Sequence, residues 1–352
     1  MSVLIFLVIL SILVFVHEFG HYITAKKNGI RVDEFAIGFP PRIFSWMRGE
    51  TRWSLNLIPI GGYVKIFGEN PDEESMEGPD SSRSFEKKSK WVQVLVLSAG
   101  IIFNIAFAWL LITLGFMFGF PVPAANYAQE YIENTHLVIV ATLPDSPATL
   151  SGVQSGDTIE RVSSGGEDLQ ELNPEAFSSF IASHGDRKIE LELRRGGDVR
   201  TVEVVPISGI LDAKPAIGVS IDMVGILKLP FFKAIAQGTE TTISLVKQTV
   251  VGLGLFFFDI FRGQGDFSQV SGPVGIAGIV GGVSQLGFVY LLSLTAFISI
   301  NLAVINLIPF PALDGGRLLF VAIESVIRRP LPLVFQAWTN MIGFGLLLLL
   351  MV

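Results

Sequence analysis

The sequence predicts an α-helical polytopic membrane protein with about four transmembrane helices, a membrane-associated β-hairpin region and an inserted β-rich domain. Half of the 352 residues are hydrophobic, only 16% are charged, and the mean hydropathy is +0.56. This composition lies outside the usual range of soluble proteins. Four apolar stretches are long enough to cross roughly 30 Å of hydrocarbon. A long segment between the second and third stretches alternates as β-strands do.

The predicted spans are defined by these four stretches and by the basic residues beside them. The first apolar stretch lacks a basic N-terminal region and a cleavage site, so we expect a retained anchor rather than a signal peptide. Lysines and arginines cluster between the first and second spans and between the third and fourth, and basic loops stay in the cytoplasm. The spans are residues 1–30, 91–120, 285–308 (within a segment reaching 327) and 331–352.

The segment after the first span, residues 31–70, is predicted to form membrane-associated β-structure. Glycines and prolines punctuate short apolar runs such as residues 53–57 and 63–67. An extended peptide could add to the edge of such strands, although a cytoplasmic cap without a catalytic role fits the pattern nearly as well. Residues 71–90 begin with an acidic, Pro- and Ser-containing stretch, which predicts a flexible linker.

Two elements are predicted in the long segment on the far side of the membrane. Residues 121–215 are expected to form a small β-rich domain, and residues 228–262 an amphipathic helix lying in the membrane interface. A fifth span is the weaker interpretation of that helix because residues 237–242 are polar. The domain's predicted strands and helix are residues 137–140, 189–193, 202–205 and 174–184.

Composition also limits the chemistry. The chain has no cysteine, so it can form neither a disulfide nor a thiolate zinc site. The net charge is -7 and no basic stripe is present, which argues against nucleic-acid binding. Any zinc ion must therefore be held by imidazole and carboxylate groups, and the chain has only four histidines.

The strongest functional motif is His17-Glu18-Phe19-Gly20-His21, near the end of the first apolar stretch. On a helix, His17 and His21 lie on one face and can reach one zinc ion, while Glu18 can act on a water beside it. Ionisable residues at membrane depth are expensive and are functional candidates by default. The motif predicts a metal enzyme that works within the bilayer.

A catalytic zinc needs a third protein ligand, and Asp314 is the best candidate. The first and third spans both run toward the cytoplasm, so Asp314 reaches the same side as His17, which lies about 22 Å along its helix. Asp314 stands in the sequence Asn306-Leu-Ile-Pro-Phe-Pro-Ala-Leu-Asp-Gly-Gly316. Its prolines break the helix, which a membrane protein tolerates where backbone is buried or lines a wet cavity.

Together these features resemble the site-2 protease family of intramembrane zinc metalloproteases, and specifically the bacterial regulator-of-sigma-E protease group. The resemblance rests on HEFGH, on the Leu-Asp-Gly turn and on the insertion between them. Residues 143–148 and 151–159 of the insertion are similar to a bacterial PDZ domain, and residues 58–65 and 271–276 match stretches typical of the group. In the second span Gly100 and Asn104 match a Gly-Pro-x-x-Asn pattern that here lacks its proline.

The resemblance implies that His17, His21 and Asp314 bind Zn²⁺ and that Glu18 is the general base. It suggests Asn306, and more weakly Asn104, as substrate-binding residues. The implied substrates are transmembrane proteins such as cleaved membrane-anchored regulators, within the lipid bilayer. The implied location is the inner membrane of a bacterium, with the active site toward the cytoplasm and the PDZ-like domain outside.

Two other functions stay open at this point. One is a non-proteolytic PDZ membrane scaffold with a structural zinc, which would have no need of Glu18. The other is an integral-membrane CAAX-type protease, which also uses HExxH. It resembles this chain less, because its third ligand is a glutamate and it has no PDZ insertion.

Overall fold

The computed structural model describes residues 2–70, 72–209, 214–263 and 272–351. The chain forms two compact units: residues 1–112, 238–281 and 294–352 make the first, and residues 113–237 and 282–293 the second. The helices are α1 Ser2–Lys27, α2 Glu73–Glu77, α3 Lys90–Phe118, α4 Pro147–Leu150, α5 Pro174–Ser183, α6 Phe231–Phe261, α7 Pro273–Leu286, α8 Phe288–Leu307, α9 Asp314–Ile327 and α10 Leu333–Met351. The strands are β1 Val32–Arg48, β2 Thr51–Ile66, β3 Phe120–Pro123, β4 Ile132–Thr142, β5 Thr158–Ser164, β6 Glu167–Asp168, β7 Ile189–Arg195, β8 Asp198–Val204 and β9 Val219–Leu227.

Among the described residues, four helices are long and apolar enough to cross a membrane: Ser2–Lys27, Lys90–Phe118, Phe231–Ile260 and Phe288–Leu307. Three of them coincide with the first three predicted spans. The helix Phe231–Ile260 was expected to lie in the interface, yet by length and composition it qualifies as a span. The C-terminal prediction coincides with α10, whose described apolar part, Leu333–Leu347, is shorter. A crossing by α10 stays a prediction.

In the first unit, two long strands fold into a sheet of four rows. The first half of β1, residues 32–37, pairs on one side with residues 62–66 and on the other with residues 52–55. The second half of β1, residues 42–48, pairs with residues 51–56. The bend in β1 needs a glycine at residue 38 for two reasons. Gly38 has a φ of 81°, and a Cβ at this position would stand 2.6 Å from the carbonyl oxygen of Ile58.

The core of this unit joins α1, the sheet, α3 and α9. Its side chains include Ala25, Phe35, Val64, Val96 and Val321, all buried. This shared core packs α9 against α3 and against α1, the helix that carries the HExxH motif. Burial of this kind is the main favourable contribution to folding.

The predicted flexible linker, residues 71–90, is ordered in its described part. Asp72 caps the first turn of α2 by accepting a hydrogen bond from the Ser75 N–H. Phe85 is buried in the core of this unit. Two of the acidic residues that suggested disorder are neutralised, since the Arg31 guanidinium binds both Glu74 and Asp80. Their charge therefore holds the segment in place.

The second unit contains an antiparallel sheet with the strand order β3-β9-β4-β5-β7-β8, and β6 pairs with β5. The helix α5 and three of the strands fall where the sequence predicts them. The sheet continues past residue 215, however, because β9 pairs with β4 over most of its length. The partners are far apart in sequence, so the alternation within residues 137–206 does not reveal this strand.

Candidate metal centre

The two histidines of the HExxH motif lie one helical turn apart on the buried face of α1. A run of apolar residues without an internal proline lets this segment complete its own backbone hydrogen bonds, as a spanning segment must. The imidazole rings of His17 and His21 have centroids 4.8 Å apart, and their Nε2 atoms are separated by 3.2 Å. The spacing of four residues brings both nitrogens to one point.

Asp314 reaches that point from the other end of the chain. The helix α8 ends at Leu307, before Pro309 and Pro311, and α9 begins at Asp314 after a tight turn. The next residue must be glycine, because a Cβ at Gly315 would overlap the carbonyl oxygens of Leu307 and Ile308. In this turn Asp314 projects toward α1.

The three side chains form a compact triangle. The Asp314 Oδ2 atom lies 3.0 Å from His17 Nε2 and 3.3 Å from His21 Nε2. Three ligand atoms bound tetrahedrally at about 2.0–2.1 Å from one ion would be separated by about 3.3 Å. Asp314 Oδ2 is buried and, within the described chain, accepts no hydrogen bond of good geometry despite these two neighbours. A carboxylate oxygen and two imidazole nitrogens arranged in this way suit a zinc ion.

Each imidazole has a partner at its other nitrogen. His21 Nδ1 lies 2.8 Å from the carbonyl oxygen of Val96 on α3, so Nδ1–H donates and Nε2 keeps its lone pair for a metal. His17 Nδ1 lies 3.2 Å from Nδ2 of Asn104, whose buried Oδ1 has no hydrogen-bond partner among the residues that the structure describes. A half-turn of this amide would let its oxygen accept a hydrogen bond from His17 Nδ1–H, the tautomer that leaves Nε2 free for a metal.

Glu18 borders a cavity beside the triangle. The cavity has a volume of about 350 Å³ and is bounded by α1, the outer row of the sheet, α9 and α10. Arg317, one turn after Asp314, pairs with Glu69 at the end of the sheet and lies 3.4 Å from Asn70 Oδ1. The residues around the cavity are Glu18, His21, Tyr63, Val64, Ile66, Glu69, Ala312, Leu313, Asp314, Arg317 and Asn340.

The remaining two predicted site residues differ in their distance from the centre. Asn104 is fully buried against His17. Asn306 is half-buried in the last turn of α8, and it is not among the described residues that border the cavity. The geometry therefore unites His17, Glu18, His21 and Asp314, adds Asn104 as a neighbour of one imidazole, and leaves Asn306 apart.

The sequence did not reveal several residues of the centre. Val96 contributes only a backbone carbonyl, which no motif can signal. Tyr63 lies in a predicted strand and Asn340 in a predicted span, and neither pattern marks the residue as part of a site. Arg317 could have been found, because it follows Asp314 by three residues and therefore shares its face of a helix.

Comparison with known proteins agrees with this geometry. The sequence model of peptidase family M50 matches residues 5–350. A candidate zinc metalloprotease of Clostridium perfringens is 36% identical over 353 residues, covering 100% of this chain and 96% of the relative. Zinc metalloprotease RasP of Geobacillus kaustophilus is 28% identical over 427 residues, covering 99% and 96%. A candidate zinc metalloprotease of Bartonella henselae is 31% identical over 367 residues, covering 97% and 96%.

These matches decide between the functions that the sequence left open. They confirm the resemblance to site-2 proteases, the zinc cofactor and the peptidase activity, and they do not favour the scaffold or the CAAX-type protease. The apolar helices agree with a multi-pass membrane protein. The chain belongs to peptidase family M50 and is a zinc metalloendopeptidase of the membrane.

Proposed function

We propose that the protein hydrolyses peptide bonds in or near the transmembrane segments of membrane-protein substrates, including cleaved membrane-anchored regulators. His17, His21 and Asp314 hold the zinc ion, and Glu18 is the general base. The observation that carries the proposal is the 3.0–3.3 Å triangle of Nε2, Nε2 and Oδ2 atoms, formed by two ends of the chain beside a cavity that contains Glu18.

The reaction follows from these residues. Bound zinc supplies Lewis acidity to a water and to the substrate carbonyl. Glu18 takes a proton from the water as its oxygen forms a bond to the carbonyl carbon, and returns the proton to the amine as the C–N bond breaks. Val96 and Asn104 keep the two imidazoles oriented throughout.

The sheet of the first unit offers a place for the substrate backbone. A helical substrate must unwind before its carbonyl can be attacked, because its carbonyl groups are already hydrogen-bonded. Residues 62–66 form an outer row of the sheet, and Tyr63, Val64 and Ile66 border the cavity. An extended segment that pairs with this row would be held beside Glu18. Pairing of this kind depends on main-chain hydrogen bonds and tolerates many sequences.

The catalytic assignment is tested with a model transmembrane substrate and the purified full-length protein in detergent. Glu18→Gln should keep zinc and lose nearly all cleavage, since it removes the base and leaves the three ligands. Asp314→Ala should lose both zinc and cleavage. Glu190→Gln, which changes an exposed carboxylate on β7 of the second unit, is the control for charge. Cleavage by Glu18→Gln at the wild-type rate would overturn the role of Glu18.

The orientation of the protein in the membrane can be tested separately from its catalytic residues. The active site is proposed to face the cytoplasm, and the PDZ-like domain of residues 121–215 the opposite side of the membrane. The absence of cysteine provides a clean background for labelling in intact cells with a membrane-impermeant maleimide. Asp198→Cys, on an exposed strand of the second unit, should be labelled. Ser82→Cys, between α2 and α3, should react only after permeabilisation. The reverse pattern would contradict the orientation.

Residues 121–215 are proposed to form a PDZ-like domain that restricts access to the active site. Either peptide binding or steric exclusion would achieve this, and one pair of substrates separates the two. A transmembrane substrate with a folded outer domain should be cleaved more slowly than the same segment without it if exclusion acts. If the unit binds peptide, a free competing peptide should inhibit cleavage of the short substrate. If neither effect is observed, the domain does not act as a filter.

A further inference from the structure

We propose that Asn340 is a positioning residue for the metal centre, which holds the backbone of Ala312 and thereby fixes the turn that presents Asp314. The proposal rests on the assignment of Asp314 as a zinc ligand. It gives α10 a role in metal binding although α10 contributes no ligand of its own.

The turn before Asp314 needs support from outside. Ala312 has a φ of 74°, in the left-handed region that residues with a Cβ rarely adopt. Such a conformation persists where the surrounding structure holds it. The residue at the N-cap of α9 is Leu313, which has no side-chain oxygen to cap the helix. Neither residue therefore secures the start of α9 by itself.

Asn340 provides that support from α10. Its Oδ1 atom accepts a hydrogen bond from the Ala312 N–H at 3.2 Å. Ala312 precedes the proposed ligand Asp314 by two residues. Asn340 also borders the cavity that contains Glu18 and Asp314, so it lies beside the centre rather than at a distance.

A second contact brings α10 against the same turn. Gly343 follows Asn340 by three residues and so shares its helix face. A Cβ at Gly343 would stand 2.5 Å from the carbonyl oxygen of Pro311 and 2.6 Å from its Cβ. The helix backbone thus contacts Pro311 while Asn340 binds the next residue. Two consecutive residues of the turn are held by one face of α10.

This arrangement matters because Asp314 is the ligand that comes from outside α1. His17 and His21 are placed by their own helix, whereas the position of Asp314 depends on the turn before it. A loosened turn would let the Asp314 carboxylate move away from the imidazoles. Partners outside the ligand shell commonly change metal affinity by roughly 10–100-fold when they are removed.

The test measures zinc release from the full-length protein in detergent, with a chelating dye in excess. Asn340→Leu, which has a similar volume and no acceptor, should release zinc roughly 10-fold faster than the wild type. Asn340→Asp keeps an acceptor oxygen and should hold zinc as the wild type does. Thr339→Val is the matched control, because the Thr339 hydroxyl bonds the Phe335 carbonyl of its own helix. Excess zinc should restore the kcat of Asn340→Leu to the wild-type value and leave its KM unchanged. A general packing defect would not be reversed by zinc.

Three outcomes would overturn the proposal. The first is wild-type zinc retention by Asn340→Leu in an experiment where Asp314→Ala loses zinc. The second is equal loss by Asn340→Leu and Asn340→Asp, because the acceptor would then be irrelevant. The third is wild-type zinc retention by Asp314→Ala, which would also remove Asp314 from the ligand set and so refute the underlying assignment.

Discussion

Gly100 on α3 lies directly against the imidazole of His17. A Cβ at this position would stand 2.7 Å from Cε1 and 2.8 Å from Nδ1 of that ring, and it would also overlap His21 Nε2. Real Cβ atoms do not come this close to ring atoms. The absence of a side chain at residue 100 therefore lets α3 form one wall of the metal centre.

We predict that Gly100→Ala lowers zinc affinity by roughly 10–100-fold, because the rings must turn or α3 must move. Cleavage of a model substrate should fall with it. The measurement is zinc per chain after dialysis against a chelator. Gly252→Ala on α6 is the control, since a Cβ there would have no neighbour within 4 Å among the described residues. Wild-type zinc content in Gly100→Ala would show that the overlap is relieved at no cost to the site.

A second prediction concerns Asn104, which the sequence suggested as a substrate-binding residue. Its contact with His17 points to orientation of the ligand instead. Asn104→Leu should weaken zinc binding roughly 10-fold and leave KM unchanged once zinc is in excess. Asn104→Asp, which keeps an acceptor for His17 Nδ1–H, should bind zinc more tightly than Asn104→Leu. A raised KM with normal zinc retention would restore the substrate-binding interpretation.

The part of the centre that the sequence could predict is the part set by local geometry. His17 and His21 are four residues apart, and any helix brings such residues to one face. The prolines before Asp314 mark the end of a helix, and the predicted topology brings Asp314 to the depth of His17. These inferences need no knowledge of how the helices pack.

The parts that escaped prediction depend on packing between distant segments. Gly100 and Val96 matter only because α3 crosses α1 at the histidines. Asn340 matters only because α10 contacts the turn before α9. In the second unit, β9 pairs with β4 across a long intervening segment, so its place in the sheet is a property of the fold. Local patterns carry no information about such contacts.

A third prediction concerns acid and the turn between β1 and β2. Arg83 and Lys26 both bind the Glu50 carboxylate and lower its pKa to about 2. Because the folded pKa lies below the ordinary value of 4.5, this stabilisation is complete above about pH 5 and is lost as the pH falls toward 2. Both ion pairs of Glu50 lie near the surface, so their contribution to the free energy of unfolding is about 0.2–1 kcal/mol.

The comparison is between the unfolding temperatures of the wild type and Glu50→Gln in detergent at pH 7 and at pH 3. The wild type should be the more stable at pH 7, and the difference should shrink at pH 3. High salt should shrink the difference at pH 7 as well, because exposed charges are screened. A difference that is constant with pH would mean that Glu50 acts through packing and not through its charge.

The last prediction concerns Glu324, a buried acid on α9 that joins three segments. Its Oε2 lies 2.7 Å from Lys90 Nζ at the start of α3, and its Oε1 accepts a hydrogen bond from the Leu331 N–H at 2.8 Å before α10. Glu324→Leu should destabilise the protein by about 1–3 kcal/mol, because it leaves the Leu331 N–H without its acceptor and removes the shortest of the ion pairs of Lys90. The partial exposure of Lys90 keeps the cost below that of a fully buried pair.

Unfolding in detergent measures this loss, and Ser325→Ala is the matched control because its hydroxyl bonds the Val321 carbonyl of its own helix. If the loss of stability comes from the weaker pairing of the Lys90 charge, the double variant Lys90→Met/Glu324→Leu should be more stable than Glu324→Leu alone. Equal instability of the single and double variants would assign the effect to the lost cap at Leu331. In either case the C-terminal end of α9, opposite Asp314, loses contacts to α3 and to the start of α10. The zinc content of the same variants therefore shows whether metal binding depends on both ends of that helix.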